Sequence, residues 1–67
     1  MSENEKKEIE NNIINRYLSI KSIADSAISS LNKAVKDSDD DFTKSFELTE
    51  QIQEMIEEIR DLLGELD

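Results

Sequence analysis

Asp37, Asp39 and Asp41 alternate with Ser38 and Asp40, the spacing at which a calcium loop presents its first three oxygen ligands. Such a loop also needs a glycine at its sixth position for a sharp turn and a glutamate at its twelfth. Counted from Asp37, those positions hold Phe42 and Leu48. Counted from Asp39, Glu50 stands twelfth, but Thr43 and Lys44 occupy the fifth and sixth. Neither frame supplies the glycine, so the aspartates are expected at a helix start and no metal site is expected. A second candidate is the set of carboxylate pairs Glu50/Glu54, Glu54/Glu58 and Glu57/Asp61, each one helical turn apart. Di-iron bundles combine inward-facing glutamates with histidine. This chain has no histidine, and these acids lie off the apolar stripe, which makes them a solvated helix face.

Other chemistry is equally sparse. The chain has no cysteine or histidine to supply or activate a nucleophile, no glycine-rich phosphate loop and no basic cluster interleaved with aromatics. Neither catalysis nor a cofactor is expected. Tyr17 falls on an apolar stripe and reads as a core residue with its hydroxyl at the rim.

The elements that must position these residues are helices. There is no proline, and Gly64 is the only glycine. Ser2 followed by Glu5 has the form of a capping box, with Glu3, Glu5 and Glu8 near the positive end of a first helix. Apolar residues from Ile9 to Val35 recur at intervals of three and four, and Lys33 and Lys36 suit the negative end of that helix. Helix 1 is expected over about 3–36, a turn over about 37–40 and helix 2 over about 39–64, as a single helical-hairpin domain of residues 1–67. Ser38 is the expected cap of helix 2, Asp39 to Asp41 its expected first turn, and Gly64 a site of fraying or a C-terminal cap.

One continuous helix is the competing arrangement. The heptad that places Tyr17, Ala24 and Leu31 at a and Ile20, Ala27 and Ala34 at d stays in phase through the aspartates. It would bury Ser38, Asp41 and Ser45 in the seam, and an unpaired carboxylate there is costly. The hairpin avoids that cost. The apolar stripe of each helix is wider than a two-residue seam, with Ile14, Ile28 and Val35 at e and Ile9 and Ile23 at g, so each helix should touch at least two neighbours. The expected fold is an all-α, two-helix antiparallel hairpin or coiled coil that completes a four-helix bundle by dimerisation or with a partner helix.

The formal net charge is −9, almost all of it in the second half. Residues 1–36 carry six basic and five acidic side chains, residues 37–67 two and twelve. Such a field disfavours nucleic acid and anionic lipid. No apolar run approaches the length of a membrane helix, and the first twelve residues hold no apolar core of a secretory signal, so a cytoplasmic location is expected. A chain of 67 residues without disulfide or zinc chemistry is marginal alone and points to association.

The expected function is a non-enzymatic protein–protein interaction module: an acidic adaptor, chaperone or assembly subunit that covers its apolar face with itself or a partner helix. The residues expected to form that face are Ile13, Tyr17, Ile20, Ile23, Ala24, Ala27, Ile28 and Leu31 from helix 1, and Ile52, Met55, Ile56, Ile59, Leu62 and Leu63 from helix 2. The small residues of "SIKSIADSAISS" either pack inside the hairpin or accept a foreign helix. An acidic inhibitor that mimics nucleic acid and binds a basic protein is the alternative.

Overall fold

The computed structural model describes residues 1–38 and 41–67. Two helices, α1 (Glu3–Lys36) and α2 (Thr43–Leu66), pack against each other as a helical hairpin. At 1.5 Å per residue, the 34 residues of α1 extend about 51 Å, close to the 54 Å long dimension of the molecule. One helix over the whole chain would approach roughly 100 Å, so the continuous rod is not what forms.

Local chemistry explains the ends of α1. Ser2 is extended, and its Oγ accepts a hydrogen bond from the Glu5 backbone N–H at 3.2 Å. The Ser2 hydroxyl in turn donates to Glu5 Oε1 at 3.3 Å. One of the orphan amide groups of the first turn is thereby satisfied. At the other end, Asp37 N–H donates to the Lys33 carbonyl and Ser38 N–H to the Val35 carbonyl. Ser38 itself has φ 56, in the left-handed region.

That conformation corrects the expected cap of helix 2. A helix N-cap residue is extended, and Ser38 instead takes the left-handed geometry with which helices commonly end. α2 starts at Thr43, later than the expected residue 39, and its first turn contains no acid. Phe42 stands at the N-cap without a side-chain cap hydrogen bond, and Asp41 just before it supplies the acceptor instead. Its Oδ1 accepts from the Thr43 backbone N–H at 3.0 Å and from Thr43 Oγ1 at 2.6 Å. The expectation for Asp39 and Asp40 falls outside the described residues. Gly64 is likewise corrected: α2 continues through it to Leu66, and its φ is not positive.

The two helices meet along a seam with a strict alternation of three and four. On α1 it comprises Ile9, Ile13, Arg16, Ile20, Ile23, Ala27, Ser30 and Ala34; on α2, Ser45, Leu48, Ile52, Met55, Ile59, Leu62 and Leu66. All are buried or half-buried, and Ile13, Leu48 and Ile59 are the most deeply covered, at 5 to 6% exposure. Burial of each of these three contributes roughly 1.5–3 kcal/mol. The seam differs from the expected heptad by one column. Ile20, Ala27 and Ala34 face α2 as expected, but Tyr17 and Leu31 are exposed, and Arg16, Ile23 and Ser30 take the second column. The apolar stripe is wider than one helix can cover, and α2 covers one edge of it.

Candidate functional site

The covered edge leaves the other edge open. Arg16 Nε donates to Glu58 Oε2 at 3.0 Å, which fixes the register of the two helices. Counting from that pair in opposite directions brings Ala27 within one residue of the level of Leu48 and Ile23 level with about Gln51. The pair also marks one side of the hairpin, here termed the back. Ser30, Lys33, Ala34, Asp37, Asp41 and Lys44 line a polar groove of about 250 Å³ there. Hydrogen bonding by Thr43, first from its hydroxyl and then from its backbone N–H, holds the Asp41 carboxyl below its ordinary 3.8.

The front is apolar. Successive helix residues turn by about 100°, so in an antiparallel pair the same flank of each seam faces the same side of the hairpin. On α1 that flank carries Ile14, Tyr17, Ile28, Leu31 and Val35; on α2 it carries Phe42, Phe46, Ile56 and Leu63. All nine are exposed, from 37% at Phe42 to 71% at Phe46. They meet across the hairpin where Tyr17, Ile56, Ile59, Arg60 and Leu63 line an open groove of about 240 Å³. That volume is below the range typical of small-molecule sites. With each side chain about half exposed, the face presents on the order of 900 Å² of apolar surface, more than the roughly 300–600 Å² of the largest patch on an ordinary monomer.

Charge is segregated between the two sides. By helical spacing, Glu47, Glu50, Glu54, Glu57, Glu58, Asp61 and Glu65 lie on the back or outer surface of α2, and Arg60 is the only charged residue between Thr43 and Leu66 on its front. The front of α1 between Ile14 and Val35 carries Lys21, with Asp25 at its outer margin. Among the described residues, neither is ion-paired within the chain.

The fourteen residues expected on the partner-binding face thus divide into two sets. Ile13 and Ile59 are buried, and Ile20, Ile23, Ala24, Ala27, Ile52, Met55 and Leu62 are half-buried, most of them in the hairpin's own seam. Tyr17, Ile28, Leu31, Ile56 and Leu63 remain exposed on the front. Sequence reasoning omitted Ile14, Val35, Phe42 and Phe46 from the face. Their signal was present as a second column, one helical turn from neighbouring apolar residues and displaced from the seam. Ala27, Ser30 and Ala34 lie in the seam, so these small residues of α1 serve the hairpin's own packing.

Among the described residues no group of three or more acids is placed to hold a metal ion, and no helix is long and apolar enough to cross a membrane. Compared with protein-family models, curated proteins and solved structures, the chain matches none.

Proposed function

We propose that this chain is a non-enzymatic protein–protein interaction module, an acidic helical-hairpin adaptor, chaperone or assembly subunit. Its working surface is the front of the hairpin, covered by a second copy or by a partner helix. The supporting observation is the apolar face from Ile14 to Val35 on α1 and from Phe42 to Leu63 on α2, interrupted by Lys21 and Arg60, with the carboxylates of α2 turned away from it. A hairpin with three buried side chains among the described residues, none of them fully enclosed, has little stability in reserve, and covering this face would supply more.

The test uses Ile28→Asp and Phe46→Asp. Both residues are exposed in the hairpin, so helicity should persist by circular dichroism. Association is read by sedimentation, with the chain alone and with a leucine-rich amphipathic helical peptide as probe. Wild type should bind one or the other even at high salt, and both variants should lose that binding. Unchanged association in both variants would sink the reading.

A second reading rests on the outer face of α2, where spaced carboxylates could meet a basic cleft. Polylysine serves as its probe. Binding that falls steeply with salt and is indifferent to Ile28→Asp would favour this reading over the first.

A further inference from the structure

We propose, building on the reading of the front as a docking surface, that its occupant is a second copy of this chain. The two hairpins stack front to front around a two-fold axis, with α1 antiparallel on the partner's α1 and α2 antiparallel on the partner's α2. The area fits. A stable interface buries about 800 Å² per partner, and the front offers on the order of 900 Å².

Register supplies the geometry. The Arg16–Glu58 pair marks the relative level of α1 and α2 that their seam holds, so one axis must serve both helices. The axis that best centres both apolar stripes passes level with Ile23 of α1 and Gln51 of α2. Around it, Tyr17 falls within one residue of the partner's Ile28, Ile14 within one residue of the partner's Leu31, and Phe46 opposite the partner's Ile56. Arg60, the sole charge on the front of α2, falls opposite the partner's Phe42, where a guanidinium can stack on the ring. Lys21 falls opposite the partner's Asp25, and the symmetry makes that pair twice. Lys21 on the front of α1 and Asp25 at its outer margin are therefore complementary to their own copies. Area supplies the affinity here, and the reciprocal Lys21–Asp25 pairs set the stacking of α1 on α1.

The experiment measures dimerisation of the full chain by sedimentation equilibrium at low salt, using Lys21→Asp and Asp25→Lys. Both positions are exposed, and circular dichroism checks that the hairpin is retained. Wild type is expected to be a dimer. Each single variant brings like charges together twice and should raise the dissociation constant about tenfold. An equimolar mixture of the two variants restores both opposite-charge pairs, so heterodimers should form about tenfold more tightly than either homodimer. A wild type that stays monomeric overturns the second-copy assignment. If that monomer still binds the amphipathic peptide through Ile28 and Phe46, the docking-surface reading survives. A wild-type dimer whose single variants show no weakening, or whose mixture shows no recovery, overturns the stacking of α1 on α1.

Discussion

Arg16 and Glu58 lie 42 residues apart in the chain and 3.0 Å apart in the hairpin. Arg16 is anchored further by Nη1, which donates to the Asn12 carbonyl at 3.1 Å. Both side chains are substantially exposed, so the pair selects a register more than it stabilises the fold. Glu58→Gln should lower the unfolding free energy by only about 0.2–1 kcal/mol, and the loss should shrink as salt rises. Urea unfolding at two ionic strengths checks this. A loss well beyond that range would mean the pair does more than set register.

Ala27 lies in the seam within one residue of the level of Leu48, one of the three most buried side chains. A leucine at that position would have to displace close-packed neighbours. Ala27→Leu is expected to destabilise the hairpin by about 1–3 kcal/mol, measured by thermal or urea unfolding. Were Ala27 reserved for a foreign helix, the isolated chain would not register the change.

The hydrogen bonds from Thr43 give Asp41 a pH signature. Its carboxyl is held below 3.8, so the ionised form is the one favoured by folding. The stability it contributes is present above the unfolded value and is lost as pH falls through the lowered folded value, that is, below about pH 4. Thr43→Val removes the largest cause and should move the Asp41 midpoint upward in a carbon-detected NMR titration. A midpoint that does not move would show that the Thr43 hydroxyl is not what holds it down.

Ser38 pays a conformational penalty that glycine would not. At φ 56 a side chain crowds its own backbone, whereas glycine enters this region freely. Ser38→Gly is expected to stabilise the hairpin by about 0.5–1 kcal/mol, seen as a rise in Tm of a few degrees. A fall in Tm would mean that the serine side chain contributes more than its strain costs.

The parts of this fold legible in the sequence are those set by local chemistry. Ser2 and Glu5 announce the start of α1, and the lysines at 33 and 36 announce its end. The start of α2 was less legible because Ser38 and Asp41 are both cap-forming types three residues apart. Which of them serves the helix start depends on where the chain must reverse: Ser38 is used for the reversal, and Asp41 holds Thr43 while Phe42 takes the cap position. The candidate site was legible only as a stripe too broad for one contact. Period alone cannot say which edge of that stripe α2 will cover. Tyr17 and Ala27 look equivalent in a heptad, and only the hand of the hairpin sends one outward and the other into the seam.

The seam is graded along its length. Ser30, Ala34 and Ser45 lie near the turn, while Ile9, Ile13, Ile59, Leu62 and Leu66 lie far from it. Apart from Leu48, the first contacts available to a chain zipping from its turn therefore bury little, and most of the rewarding ones come only after a long loop has closed. Loop closure costs entropy that grows with length, so the barrier to folding should fall late, when the distant isoleucines and leucines meet. The turn then follows rather than leads: changes at Ser38 or Asp41 should alter the unfolding rate, while truncation of Ile13 or Ile59 should slow folding itself.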